Sequence, residues 1–98
     1  MSSSPEVVLG IAWFRPEQWD LLRSVSADRE VLEPTHGEWE KLARKTIQDL
    51  AHQGILARKV DVDVKRLQAW CEAQQRPLDA SARAAYATER LRDGTEFA

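Results

Sequence analysis

The chain has 98 residues, one cysteine and a net charge of −2, with 43% hydrophobic and 31% charged residues. This length allows one modest core, and the composition is typical of a folded protein rather than a disordered one. One cysteine excludes an internal disulfide, and no segment reaches the roughly 20 apolar residues that span a bilayer. We expect a single cytoplasmic domain, residues 7–92, without membrane contact, between a disordered N-terminus, 1–6, and a frayed C-terminus, 93–98.

Charge is unevenly distributed along the chain. Residues 1–40 carry three arginines against eight acidic residues, a balance of −5. Residues 41–66 have a balance of +4, and the rest has a balance of −1. Such segregation can place a local positive field on an acidic protein, although sequence segments need not become surface patches.

The first half predicts one strand and two helices. Residues 7–14 form a short apolar, β-branched and aromatic run that is typical of a buried strand. Pro16 ends it and suits the first position of a helix, 16–25, whose inward side chains are Leu21, Leu22 and Val25. After a polar loop, Thr35 and Glu38 have the spacing of a capping box and predict a second helix that ends near Gly54.

The second half repeats this order. Residues 55–62 predict a second strand, and the basic pair Arg58-Lys59 places it toward a sheet edge. Asp63 is a natural cap for a third helix, Pro77 interrupts that helix, and Asp79 caps a fourth that runs to residue 92. Asp61 and Asp63 are interpreted as a solvent-facing strand residue and a helix cap rather than as metal ligands.

The elements together predict an α+β fold with two strands and four helices in the order βααβαα. The same order is compatible with a weak pseudo-repeat of strand, helix and helix. Two strands alone form a marginal sheet. Either the helices cover the pair thoroughly, or a second copy of the chain extends the sheet.

The fourth helix is apolar on two sides, which is typical of a helix sandwiched between its own core and a partner. One stripe consists of Ala80, Ala84, Ala87 and Leu91, and Ala82, Ala85 and Tyr86 lie opposite. The high helix propensity of alanine is the alternative explanation. Trp19 lies off the main stripe of its helix, so it is predicted to be an exposed interface anchor.

A basic row on the second helix is the other candidate site. Lys41, Arg44, Lys45, Gln48 and His52 share one helix face. The residues that could join them in space are Arg58, Lys59, Lys65 and Arg66. The candidate anion-binding residues are Lys41, Arg44, Lys45, Lys65 and Arg66. The alternative is an ordinary solvated face, favoured by the acidic pI near 5.7 and by the lack of aromatic residues within the row.

No catalytic, metal-binding or cofactor-binding constellation is recognisable. Cys71 lies on the apolar face of the third helix beside Trp70, where core packing explains it. His36 and His52 have no evident catalytic partner, and Glu38 and Glu40 point to different sides of their helix. We expect a protein that is not an enzyme and needs no cofactor.

Several segments resemble small uncharacterised bacterial proteins: the stretch 13–19 that begins Trp13-Phe14-Arg15, then Asp61-Val62-Asp63, Trp70-Cys71 and 82–86. The resemblance covers most of residues 7–92 and implies a bacterial, cytosolic protein without a known activity. We therefore expect a small interaction or assembly module, for which a homodimer is one candidate form. The alternative is a nucleic-acid or anion binder that uses the basic face of the second helix.

Overall fold

The computed structural model describes residues 7–93. The predicted disordered N-terminus lies outside these residues, as does the predicted frayed C-terminus except for Asp93. The strands are β1 (Val7–Trp13) and β2 (Ile55–Asp61), and the helices are α1 (Trp19–Val25), α2 (His36–His52), α3 (Val64–Ala73) and α4 (Ala80–Arg92). Short 3-10 turns cover Pro16–Gln18 and Arg29–Val31. The predicted α+β fold and the order βααβαα are confirmed.

The two strands pair in parallel, in a register that runs from Val7 opposite Ile55 to Trp13 opposite Asp61. Side chains alternate between the two faces of a strand. Gly10 therefore shares one face with Val8 and Leu56, whereas Trp13 shares the other with Lys59. Because a parallel pair needs a long crossover, the whole α1–α2 segment lies between the strands in sequence.

Each face of this narrow sheet receives one long helix. A Cβ atom added to Gly10 would lie 2.8 Å from the carbonyl oxygen of Ala87, so α4 packs directly over β1. On the opposite face, the rings of Trp13 and Trp39 lie 5.0 Å apart and join the sheet to α2, which also packs on β2. Each second helix thus covers the strand of the other half, while the pseudo-repeat itself stays a prediction.

Helix boundaries follow the capping residues. The Asp63 carboxylate accepts from the backbone N–H groups of Lys65 and Arg66, and the Asp79 carboxylate accepts from that of Ala82. Thr35 Oγ1 accepts from the Glu38 N–H at 3.2 Å, as predicted, and the Thr35 hydroxyl donates to the Glu38 carboxylate. Gly54 has a φ of 82°, a conformation that favours glycine after a helix.

The core lies between the sheet, α1, α3 and α4. Its largest fully buried side chains are Leu22, Leu67, Val60, Val62 and Val64. In contrast, α2 has no buried residue, and Leu42, which the sequence places on its apolar face, is 50% exposed. Two strands are too narrow to cover a 17-residue helix fully.

One half-buried ion pair joins the two halves of the chain. Arg83 on α4 donates to both carboxylate oxygens of Asp28, at 2.9 and 2.7 Å. The hydrogen bonds from Arg83 lower the pKa of Asp28 below its ordinary value. This pair anchors the loop after α1 to the beginning of α4.

Candidate functional site

The outer edge of β1, which faces away from β2, is a candidate binding surface. The strand carries no charged side chain over its seven residues. Charged side chains, prolines and bulges commonly protect exposed edges from pairing with other strands. Nothing of this kind protects β1 within its described length.

The hydrogen-bond pattern identifies the backbone groups that this edge offers. The Val62 N–H donates to the Trp13 carbonyl at 3.1 Å and so extends the pairing of the two strands. Because successive residues in a strand alternate in direction, Leu9 and Ile11 also point toward β2. The N–H and C=O groups of Val8, Gly10 and Ala12 therefore point outward, and no described residue binds them.

Exposed apolar side chains surround the amino-terminal end of this edge. Val8 and Leu9 are 38% and 39% exposed. Leu56, the register partner of Val8, lies on the face of the sheet that α4 covers and is 43% exposed. The edge therefore combines unpaired backbone groups with a small apolar patch.

Helix α4 limits what can approach this edge. Tyr86 and Arg90 line a cleft with Asp61, on the β2 side of the helix. The 3.6-residue helical period places Ala84 and Thr88 on the other flank, toward the open edge of β1. Both are small and exposed, and they border a shallow groove of about 320 Å³ on α4.

The structure changes the predicted interface set. Trp19 is only 2% exposed, so the prediction of an exposed anchor is wrong. Its ring packs against Phe14 and Trp39, and its Nε1 donates to the Glu33 carbonyl at 3.1 Å. These partners come from other segments, so the position of Trp19 on its own helix did not reveal them.

The predicted apolar stripe of α4 is likewise divided. Ala87 is fully buried beneath the helix, and Leu91 is half-buried against the core, so Ala87 is unavailable to a partner. Ala80 and Ala84 are exposed. Ala82 and Tyr86, which the sequence places on the other side of the helix, are buried instead. The Tyr86 ring packs against Trp70 of α3.

The candidate anion-binding residues belong to several different surroundings. Arg44 pairs with Glu40 at 2.7 Å, and Lys45 pairs with Asp49 at 3.3 Å. The Arg44 contact lowers the pKa of Glu40. Lys41 borders a groove beside Glu33 and Glu38, and Lys65 is exposed. Arg66 alone of this set lines the cleft with Asp61.

An aromatic residue does stand beside the basic row, although it comes from the sheet. The Arg44 guanidinium lies 5.5 Å from the centre of a Trp13 ring, and the Lys59 ammonium lies 4.5 Å from it. The half-buried indole thus stabilises both cations. These contacts engage Arg44 and Lys59 within the protein.

The cleft itself lies at the carboxyl ends of both strands, and sequence reasoning identified only part of it. Arg15, Tyr86 and Arg90 were missed as site residues. Two signals were present: Arg15 follows the first strand as Asp61 ends the second, and Tyr86 and Arg90 are four residues apart on one helix. The direction of strand pairing was the missing information.

Cys71 and His52, two other residues with side chains suited to chemistry, do not line the cleft. Cys71 is 3% exposed, and burial raises the pKa of its thiol, which disfavours the reactive thiolate. His52 ends α2, close to where β2 begins, and is exposed. It is therefore at the opposite end of the sheet from Asp61 and Asp63.

Comparison with protein-family models, with curated proteins and with solved structures gives no match to this chain. Among residues 7–93, no helix combines the length and apolar character needed to cross a membrane.

Proposed function

We propose that this protein is a non-enzymatic interaction module that binds an extended segment of a partner protein along the open edge of β1. The bound segment becomes a third strand. The observation that carries this proposal is an uncharged strand whose outward backbone groups, at Val8, Gly10 and Ala12, have no partner among the described residues. In this type of recognition, main-chain hydrogen bonds supply much of the affinity.

The edge of β1 is favoured over the edge of β2 by charge. β2 carries Arg58, Lys59 and Asp61, whereas β1 has no charged side chain. Lysines and arginines on an edge strand discourage the approach of another strand. The two edges of the sheet are therefore unequal, and β1 is the receptive one.

The position of α4 favours a partner segment over a second copy of the chain. Antiparallel pairing of two β1 strands across a two-fold axis would keep both α4 helices on one face of the sheet. The strands would be about 4.8 Å apart, whereas packed helices need about 8–10 Å between their axes. Because α4 sits directly over Gly10, the two helices would overlap.

A single extended segment avoids this overlap and has a defined chemistry. One of its faces would lie beneath the α4 flank that carries Ala84 and Thr88, where small side chains fit. Its other face would continue the surface of Leu9, which is 39% exposed, where apolar side chains are favoured. We therefore expect an uncharged segment with small residues at alternate positions.

Selection from a displayed library of short peptides tests the proposal, with a matched pair of proline variants. Val8→Pro removes an outward N–H from β1 and leaves the β1–β2 hydrogen bonds intact. Ala57→Pro makes the corresponding change on the outer edge of β2. Selected peptides should bind the wild type and Ala57→Pro equally, and should lose at least tenfold in affinity for Val8→Pro. Circular dichroism confirms that both variants are folded.

Light scattering after size exclusion separates this proposal from self-association. We expect a monomer at high micromolar concentration. A dimer that Val8→Pro dissolves would show that a second copy occupies the edge and would overturn the proposal. Failure to select any peptide that distinguishes Val8→Pro from Ala57→Pro would overturn it equally.

A further inference from the structure

A polar cleft of about 270 Å³ lies at the carboxyl ends of β1 and β2, away from the open edge described above. It is lined by Arg15, Asp61, Asp63, Arg66, Tyr86 and Arg90. Ligands of parallel sheets commonly bind outside the carboxyl ends of the strands. The amino terminus of α3 also lies in this region, and its first N–H groups bind Gln18 and Asp63.

The frame of the cleft is held by specific hydrogen bonds. The Gln18 amide donates to the Val62 carbonyl at 3.1 Å, and its oxygen accepts from the Val64 N–H at 2.7 Å. Arg15 donates twice to Asp61, from Nη2 at 2.6 Å and from Nε at 3.2 Å. This contact raises the pKa of the Arg15 guanidinium. The strand ends are thus tied to the turn before α1.

Arg66 is the cationic residue of the cleft whose charge the described residues leave uncompensated. Three arginines and two aspartates line the cleft. Both carboxylates are engaged, because Asp61 binds Arg15 and Asp63 caps α3. The Arg66 guanidinium makes no hydrogen bond or ion pair with the described residues. Within the described part of the chain, this exposed positive group thus borders the cleft without a protein partner.

Tyr86 supplies a second unpaired donor. The residue is 7% exposed, and its ring packs edge-on against Trp70 with centroids 5.4 Å apart. Within residues 7–93, no group binds the Tyr86 hydroxyl, and this oxygen is not closed off from solvent although the residue as a whole is buried. The hydroxyl therefore opens into the cleft that Tyr86 lines. A ligand oxygen in the cleft would satisfy it.

We propose that this cleft binds a small oxyanion, a phosphate or a carboxylate group of a small molecule. Arg66 pairs with the anion, and the Tyr86 hydroxyl donates a hydrogen bond to it. Guanidinium groups suit both kinds of anion, because their N–H groups match pairs of oxygens. The cleft is below the roughly 300–1,000 Å³ of ordinary ligand pockets, which favours a small ligand.

The test measures binding of inorganic phosphate and of succinate by heteronuclear NMR titration at low ionic strength. Arg66→Gln and Lys65→Gln form a matched pair, since each removes one positive charge from α3 and only Arg66 lines the cleft. We expect at least a tenfold loss of affinity in Arg66→Gln and less than a twofold change in Lys65→Gln. Tyr86→Phe removes only the hydroxyl and should weaken binding about tenfold.

The two ligands distinguish the anion classes, because preference for phosphate indicates a phosphorylated ligand and preference for succinate a carboxylate. Chemical-shift changes should centre on the backbone amides of residues 61–66. Absence of binding by both ligands up to about 10 mM would overturn the proposal. An equal loss in Lys65→Gln and Arg66→Gln would also overturn it, because it would reveal a diffuse field rather than a site.

Discussion

Gly10→Ala tests the closest approach between a helix and the sheet. The added Cβ would lie 2.8 Å from the Ala87 carbonyl oxygen and 3.1 Å from its carbonyl carbon. Ordinary contacts of this kind begin near 3.4 Å, so α4 would have to retreat by about 0.6 Å. The obstructing atoms belong to backbone, so a change of side-chain rotamer cannot relieve the contact.

The expected change in the free energy of unfolding results from two opposing effects. Overpacking of this kind lowers the free energy of unfolding by about 1–3 kcal/mol. The loss of glycine's conformational freedom in the unfolded chain raises it by about 0.4–1 kcal/mol. We expect Gly10→Ala to lower the free energy of unfolding by about 1–2 kcal/mol, with a fall in Tm of roughly 4–16 °C for a domain of this size.

Urea unfolding followed by tryptophan fluorescence measures this change. Gly37→Ala is the matched control, because a Cβ there meets no atom within 4 Å and Gly37 lies within α2. That variant should be as stable as the wild type or more stable, by up to about 1 kcal/mol. If Gly10→Ala proves as stable as the wild type, the position of α4 over β1 is wrong, and the steric argument against a second copy fails with it.

Three further outcomes are expected. Asp28→Asn should lower the free energy of unfolding by about 2 kcal/mol at pH 7, because Arg83 keeps its half-buried charge without a charged partner. Since the pKa of Asp28 is lowered in the folded state, the difference between variant and wild type should persist above pH 4 and shrink as the pH falls further. Urea unfolding at a series of pH values measures this difference. Cys71 should react with a thiol reagent at the rate of unfolding rather than at the rate of a free thiol, because it is 3% exposed; rapid labelling under native conditions would contradict its burial. Gly54→Ala should lower stability by about 1 kcal/mol in thermal unfolding, because its φ is 82°, and an unchanged Tm would show that the turn tolerates a side chain.

Local signals in the sequence predicted the elements well, because each boundary depends on a few neighbouring residues. Thr35, Asp63 and Asp79 cap the helices that they were predicted to cap. The strand-like run 55–62 located β2, and the cap residue Asp63 located the start of α3. Such signals act within one helical turn or one strand and need no knowledge of the rest of the fold.

The candidate sites depended on contacts between distant residues and were predicted less well. Trp19 lies off its helical stripe, but Phe14 and Trp39 enclose it from other segments. Arg15 and Asp61 are 46 residues apart and meet only because the strands run in parallel. Nothing local in either segment determines that direction.

The parallel pairing has a consequence for synthesis. Each residue of β1 pairs with one that lies 48 positions later, as Val7 does with Ile55. At about 5–20 residues per second, the partner strand is translated roughly 2–10 s after β1. Until then β1, an uncharged strand, lacks both β2 and the covering helix α4. We therefore expect the nascent chain to be more prone to aggregation than the folded protein.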